Sequence, residues 1–216
     1  MFFDAYIFDL DGTVLDTLPD LVNITNTVLA EWDMPTHTTE EVNSYVGNGA
    51  RMLLVRAAPE GTADDVIDAL LARWRGIYPE LGHQFTHPYA GIPETLDELK
   101  GRGAKLGVLS NKFDAATCAV IGRHFPGVFD LVRGEGPETP RKPDPTGLLK
   151  MMADLGVAPE RCAYVGDSGS DMTVAVNAGA VPVGVTWGYR SADELRKCGA
   201  RYLVDSPAEL AAITVC

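Results

Sequence analysis

The chain has 216 residues, enough for one domain of ordinary size or for a core domain that carries a smaller insert. Its 18 basic and 30 acidic residues give a formal net charge of −12, which argues against nucleic acid or an anionic membrane surface as the main partner. The N-terminus lacks the basic start of a signal peptide and no apolar run reaches membrane-spanning length, so we expect a cytoplasmic protein.

Short β-branched or aromatic runs alternate with helical segments along the chain. Continuous apolar strands of this kind are typical of a parallel sheet that helices cover on both faces, so we expect a doubly wound α/β fold. The predicted strands are residues 5–10, 105–109, 163–165, 181–186 and 202–204. Helices are predicted at residues 92–101 and 114–124.

Residues 16–86 follow a different pattern, with no convincing strand and helical segments at 20–32, 39–46, 49–57 and 63–78. We interpret this region as a helical subdomain inserted into a core of residues 1–15 and 87–216. The Pro and Gly residues of 87–93 support a hinge or boundary there. Such an insert is expected to close over a site in the core, exclude water and limit the size of the substrate.

Two carboxylates, Asp9 and Asp11, stand where the first predicted strand ends. Ligands bind at this end of the strands in an open α/β sheet, and two acids one residue apart repel each other unless a cation or a shared proton intervenes. A simple turn is the alternative. An EF-hand loop fits worse, because its sixth and twelfth positions would hold Val14 and Asp20. We therefore expect a metal or a catalytic proton here.

Further polar residues follow other predicted strands or precede a helix. They are Ser110, Asn111, Lys112, Lys142, Asp167 and Asp171. Each alone has an ordinary explanation as a cap, a turn or a surface charge. Their joint placement near one sheet edge favours a functional site.

In order and spacing, these elements resemble the haloacid dehalogenase (HAD) superfamily, whose phosphatase members use an Asp-x-Asp-x-Thr/Val run, a Ser/Thr, a Lys and a terminal acidic pair. Residues 16–20, 46–50 and 184–189 are similar to phosphoglycolate phosphatase relatives. The resemblance implies a Rossmann-like HAD core with a helical cap at 16–86. It also implies a Mg²⁺-dependent phosphatase for a small phosphate ester, with 2-phosphoglycolate favoured.

The chemistry of the first motif follows from its carboxylates. Asp9, ionised at neutral pH, is placed to attack phosphorus and form an aspartyl phosphate. Asp11 is expected to protonate the leaving alkoxide and then to activate the hydrolytic water. The oxygen-rich set suits Mg²⁺. The resemblance assigns the side chains of Asp9 and Asp167 and the backbone carbonyl of Asp11 as ligands, and leaves open whether Asp171 binds directly or through water.

The transferring phosphate needs neutralising groups beside the metal. We expect these from Ser110, the backbone amides around Asn111, and Lys142, which is also placed to hold Asp9. Arg51 and Lys112 are further substrate-binding candidates. An exposed Arg on a helix is often only solvated, so a surface role for Arg51 stays open.

Other functions are compatible with these residues. A sugar-phosphate mutase is disfavoured because residues 16–24 lack the His of such relatives, and a dehalogenase is disfavoured because Asp11 is present. A pyrophosphatase, a nucleotidase or a non-catalytic binding protein of the same fold is not excluded. The oligomeric state is not readable from the sequence.

Overall fold

The structure is a computed structural model that describes residues 2–214. The chain forms two compact units. The larger combines the residues up to Leu15 with those from Pro88 onward, and the smaller is Asp16–His87. The boundaries lie within one residue of those expected for a core and an insert, whereas the roles assigned to the two units stay predictions.

The larger unit is built on a six-stranded sheet in which all neighbouring strands run parallel. The strands of residues 2–214, numbered in chain order and including two outside this sheet, are β1 (Ala5–Phe8), β2 (Leu15–Asp16), β3 (His87–Pro88), β4 (Lys105–Phe113), β5 (Leu131–Glu135), β6 (Cys162–Gly166), β7 (Val181–Val185) and β8 (Tyr202–Val204). The order in the sheet is β5-β4-β1-β6-β7-β8, and β2 and β3 form a separate pair. Strand β1 is therefore central, between β4 and β6.

Helices account for most of the remaining regular structure. They are α1 (Leu18–Glu31), α2 (Thr39–Tyr45), α3 (Gly49–Ala57), α4 (Asp64–Leu81), α5 (Ile92–Gly101), α6 (Asp114–His124), α7 (Thr146–Leu155), α8 (Gly169–Ala178), α9 (Ala192–Lys197) and α10 (Pro207–Leu210), with a short 3₁₀ helix at Pro159–Arg161. Within residues 2–214, none of the helices combines the length and apolar character needed to cross a membrane.

Alternating side chains of β1 pack into two apolar clusters. Tyr6 and Phe8 belong to one cluster, and Ala5 and Ile7 to the other. Successive residues of a strand point to opposite faces of a sheet, so β1 is buried on both faces. A parallel sheet covered on both faces is the doubly wound α/β fold that the sequence predicted.

The structure differs from the sequence prediction mainly in the strands. β4 continues to Phe113, past the predicted end at residue 109, and thereby includes Ser110, Asn111 and Lys112. β5 was not predicted. It is an edge strand next to β4, and four of its five residues are only partly buried, so it lacks the apolar run of the other strands.

The smaller unit contains helices α1–α4, and a buried carboxylate organises it. Asp20, in the first turn of α1, accepts hydrogen bonds from the backbone N–H groups of Gln84, Phe85 and Thr86 at 3.2, 3.1 and 2.7 Å, and from the Thr86 hydroxyl at 2.6 Å. Helix α1 is thereby tied to the residues that follow α4.

Candidate functional site

The first two site residues lie at the carboxyl ends of two neighbouring parallel strands. Asp9 directly follows β1 and Asp167 directly follows β6. The backbone N–H of Asp9 donates to the carbonyl of Val165 at 2.8 Å, which extends the pairing of the two strands by one residue. Both carboxylates therefore lie at the same edge of the sheet, as the sequence predicted.

Asp171 completes a buried acidic group. Oxygen atoms of Asp9, Asp167 and Asp171 lie within 4.8 Å of one another. Asp171 is in the first turn of α8, where its Oδ2 accepts from the backbone N–H and the hydroxyl of Ser168 at 2.9 and 2.5 Å. A Cβ at Gly166 would lie 2.4 Å from the Asp171 Cβ, so the close approach of α8 to the end of β6 requires glycine there.

Lys142 binds two members of this acidic group. Its Nζ lies 2.8 Å from Asp9 Oδ1 and 2.6 Å from Asp171 Oδ1, and all three side chains are buried. Burial alone would lower the pKa of Lys142, but the charges of Asp171 and Asp9 hold it well above its usual value. The lysine is therefore a permanent cation, and it fixes Asp9 as predicted from the sequence.

One ammonium does not balance three carboxylates. Burial and the nearby charge of Asp171 raise the pKa of Asp9 to about 7 and that of Asp167 to about 8. With all three acids ionised, the group would carry two uncompensated negative charges, and a divalent cation would neutralise them. The donors are carboxylate oxygens at a sheet edge, and they fit a hard cation.

A loop after β7 covers Asp167. The backbone N–H of Tyr189 donates to Asp167 Oδ2 at 2.7 Å, and the Thr13 hydroxyl donates to Oδ1 at 3.2 Å. A Cβ at Gly188 would lie 2.3 Å from the Asp167 Cβ, so only glycine allows this approach. Sequence reasoning gave Thr13 and Tyr189 no role. The glycine before Tyr189 was the available signal, since it marks a close backbone contact.

Asp11 is not part of the acidic group and has a lysine of its own. Lys112 Nζ lies 3.0 and 3.2 Å from the two carboxylate oxygens of Asp11. The sequence placed Lys112 among the candidates for binding substrate. The structure places its ammonium group beside the second acid of the first motif, and its contact with substrate stays a prediction.

Asn111 and Ser110 hold the neighbouring backbone. Asn111 Oδ1 accepts from the N–H of Lys142 at 2.7 Å, and its Nδ2 donates to the Lys142 carbonyl at 3.2 Å. The Ser110 hydroxyl oxygen accepts from the N–H of Lys112 at 3.2 Å. Eight candidates of the larger unit therefore form connected clusters at one end of the sheet. Those eight are Asp9, Asp11, Ser110, Asn111, Lys112, Lys142, Asp167 and Asp171.

Comparison with known proteins identifies the family. The family model described as haloacid dehalogenase-like hydrolase matches residues 6–185, which include every candidate named above. The chain belongs to the haloacid dehalogenase-like hydrolase family. The resemblance drawn from its motifs is confirmed.

Relatives within this family cover nearly the whole chain. A phosphoglycolate phosphatase of Vibrio parahaemolyticus is 32% identical over 212 residues, covering 94% of this chain and 92% of its own. One from Aquifex aeolicus is 33% identical over 184 residues, covering 85% and 84%. The crystal structure of a candidate phosphoglycolate phosphatase from Lactobacillus delbrueckii subsp. bulgaricus is 30% identical, with a TM-score of 0.94 over 100% of this chain and 99% of that one.

The last candidate of this HAD-family chain, Arg51, belongs to the smaller unit. It lies on α3, where its Nη2 donates to Asp64 at 2.7 Å and its Nε donates to Asp68 at 3.0 Å. Both carboxylates are exposed and belong to α4. These ion pairs give Arg51 a structural role between α3 and α4, and its role in binding substrate stays a prediction.

Proposed function

We propose that this protein is a Mg²⁺-dependent phosphomonoesterase that hydrolyses 2-phosphoglycolate through an aspartyl phosphate on Asp9. The observation that carries the proposal is the division of the aspartates between two lysines, with Asp9 and Asp171 on Lys142 and Asp11 on Lys112. One acid is thus held for attack and another is kept separate for proton transfer. Membership of the family and the names of the relatives support hydrolysis of this ester.

Asp9 and Asp11 would divide the hydrolysis into two transfers. An oxygen of Asp9 attacks phosphorus, the bond between phosphorus and the ester oxygen breaks, and Asp11 gives its proton to the leaving alkoxide. Asp11, now a carboxylate, takes a proton from the water that attacks the aspartyl phosphate. Inorganic phosphate leaves and the Asp9 carboxylate is regenerated.

The remaining residues would hold the metal and the phosphate. Side chains of Asp9 and Asp167 and the backbone carbonyl of Asp11 would bind Mg²⁺, with Asp171 binding directly or through water. The bound ion supplies positive charge to the phosphate oxygens. Ser110 and the backbone amides around Asn111 would donate to the same oxygens.

Lys142 serves this chemistry by its fixed position. Its Nζ touches the proposed nucleophile at 2.8 Å, so it limits the rotation of the Asp9 carboxylate and offsets the charge repulsion between Asp9 and an incoming phosphate. Because the pKa of Lys142 is raised, this positive charge persists over the whole pH range in which a phosphatase would work.

A phosphate-release screen tests the proposal. Phosphoglycolate, sugar phosphates, nucleotides and pyrophosphate are supplied with Mg²⁺, and we expect the highest kcat/KM for phosphoglycolate. EDTA and the Asp9→Asn substitution should each remove nearly all turnover. Full activity in EDTA would contradict the metal dependence, and preference for pyrophosphate would contradict the substrate. Release from none of these compounds would favour a non-catalytic binding protein.

The smaller unit would act as the cap that selects the substrate, since every residue proposed to do chemistry lies in the larger unit. Changes in residues 46–51 are then expected to alter the ranking of substrates rather than abolish turnover of all of them. The net charge of −12 supports a small phosphate ester over nucleic acid as the partner. A cytoplasmic location is part of the same proposal.

A further inference from the structure

Lys112 is directed at Asp11 by an irregularity in the sheet. The pairing of β4 with β5 shifts register between Leu109 and Phe113, the segment that carries Lys112. Such irregularities bend a strand and redirect its side chains, and they are frequent beside active sites. The Lys112 side chain thereby crosses to the Asp11 carboxylate, 101 residues away in the chain.

The backbone of Lys112 is held from two sides. The Thr117 hydroxyl on α6 donates to the carbonyl of Lys112 at 3.2 Å. On β5, a Cβ at Gly134 would lie 2.5 Å from the same carbonyl oxygen, so the strand packs directly against it. The backbone of Lys112 is therefore fixed at the position from which its side chain reaches Asp11.

The contact between Lys112 and Asp11 is enclosed. The side chain of Lys112 is 4% exposed and that of Asp11 is 16% exposed. Because the ammonium lies within 3.2 Å of both carboxylate oxygens, it restrains the plane of the carboxylate as well as its position.

We infer that Lys112 is a positioning residue for Asp11, acting through the carboxylate and not on the phosphate. The inference rests on the proposed function and adds the residue that orients Asp11, its general acid and base. It differs from the substrate-binding role that the sequence predicted for Lys112. Proton transfer needs a donor within hydrogen-bond reach of the leaving oxygen, and a displacement of about 1 Å costs about 100-fold in rate.

The test compares an alkyl ester, phosphoglycolate, with an aryl phosphate whose leaving group needs no proton. The parameter is kcat/KM, which reports the steps up to phosphoryl transfer. We expect Lys112→Met to lose about 10- to 100-fold on phosphoglycolate and less than about threefold on the aryl ester, as Asp11→Asn should, because both impair general acid catalysis. Lys112→Arg, which keeps the charge, should recover part of the loss.

A double substitution separates the inference from a direct contact with substrate. If Lys112 acts through Asp11, the combination of Asp11→Asn and Lys112→Met should be no slower on phosphoglycolate than Asp11→Asn alone. A further loss in the double variant, or an equal loss on both esters, would overturn the inference.

Controls separate this outcome from misfolding and from failure of the proposed function. Lys150→Met removes an exposed ion pair with Glu138 and should leave kcat/KM unchanged for both esters. Circular dichroism and calorimetric Mg²⁺ binding of Lys112→Met should match the wild type, because Lys112 contacts the side chain of Asp11, and only the backbone carbonyl of Asp11 is proposed to bind the metal. A wild type that cleaves neither ester would refute the proposed function and this role together. If the wild type cleaves both esters and Lys112→Met has the same kcat/KM values as the wild type, only the role of Lys112 is refuted.

Discussion

The side-chain amide of Asn111 forms a two-point contact with the backbone of Lys142, accepting from its N–H at 2.7 Å and donating to its carbonyl at 3.2 Å. Both residues are buried. The sequence predicted that backbone amides around Asn111 bind phosphate, and that role stays a prediction. The side chain of Asn111 binds the backbone of Lys142. The position of the Lys142 ammonium beside Asp9 thus depends on an amide from β4.

Removing this amide should displace Lys142. We expect Asn111→Ala to destabilise the protein by about 1–3 kcal/mol, because buried backbone groups lose their partner, and to lower kcat about tenfold. Denaturant unfolding and steady-state kinetics provide the measurements. Asn177→Ala is a matched control. The Asn177 side chain donates a single exposed hydrogen bond to the carbonyl of Pro143, the residue that follows Lys142. Equal effects of the two substitutions would contradict the positioning role.

The two acids that follow β6 should contribute unequally to metal binding. Asp171 Oδ1 already faces the Lys142 ammonium at 2.6 Å, so much of its charge is compensated. Asp167 accepts from neutral donors, the Tyr189 N–H and the Thr13 hydroxyl, so its ionised form depends more on a bound cation. We expect Asp167→Asn to weaken Mg²⁺ binding by about tenfold or more and Asp171→Asn by less. Titration calorimetry measures both, and the reverse order would contradict this division.

The sequence predicted the central features of the fold and site because they depend on local signals. Strand β1 reads as an apolar run, and Asp9 and Asp11 follow it directly. The shared sheet edge follows from parallel pairing alone, so Asp167 is placed beside Asp9 by topology. The contact between Lys142 and Asp9 was predicted from the position of Lys142 before a helix near the same sheet edge.

Side-chain contacts that neither a motif nor the sheet topology indicates were not predicted. The partner of Asn111 is 31 residues away, and that of Thr13 is 154 residues away, with no local pattern to indicate either. β5 was missed because it is an edge strand that includes Arg133 and Glu135 and has only one fully buried residue, Gly134. The register shift beside it, which directs Lys112, arises from the pairing of two strands and leaves no trace in either one alone.

The raised pKa values of Asp9 and Asp167 predict how the stability of the metal-free protein depends on pH. Both carboxyls have an ordinary value of 3.8 and are raised to about 7 and about 8 in the folded protein. Between pH 4 and 8 the folded state therefore binds more protons than the unfolded state, and the free energy of unfolding should fall as pH rises. This decline is the cost of ionising buried acids that lack a counter-ion.

Asp167→Asn isolates this effect. In EDTA at pH 8.5 we expect the variant to be more stable than the wild type by about 1–3 kcal/mol, and the difference should shrink at pH 5.5. Urea unfolding at both values gives the comparison. At pH 8.5, Mg²⁺ at 100 times its Kd should stabilise the wild type by about 2.7 kcal/mol. Asp154→Asn, an exposed acid paired with Arg133, should show no such pH dependence.

Asp20 should be a main determinant of the stability of the smaller unit. Its carboxylate accepts from three consecutive backbone N–H groups and a hydroxyl, and Asp20→Ala leaves these donors without their acceptor. We expect Asp20→Ala to lower the free energy of unfolding by about 2–4 kcal/mol and to speed hydrogen exchange at residues 84–86. Asp65→Ala removes an exposed acid that accepts only locally from Val66 and should cost less than about 0.5 kcal/mol. Unchanged exchange at 84–86 would contradict the role of Asp20.

Arg51 is the residue whose proposed role in selectivity is most open to test. Asp64 and Asp68 engage its Nη2 and Nε, and Nη1 has no partner among residues 2–214. A guanidinium can bind a further carboxylate with the atom that remains. If Arg51 binds the carboxylate of phosphoglycolate, Arg51→Ala should raise KM for phosphoglycolate several-fold more than KM for a phosphate ester that has no carboxylate.

The control for Arg51 is Arg73→Ala, which removes an exposed arginine of the same unit that is paired with Glu31 through two hydrogen bonds. It should leave the ratio of the two KM values unchanged. Arg51→Lys keeps the charge but not the fork of donors, so it should restore selectivity only in part. If Arg51→Ala changes both KM values in the same proportion, as a general disturbance of α3 and α4 would, then the arginine only links those helices. Selectivity for phosphoglycolate would then have to come from other residues.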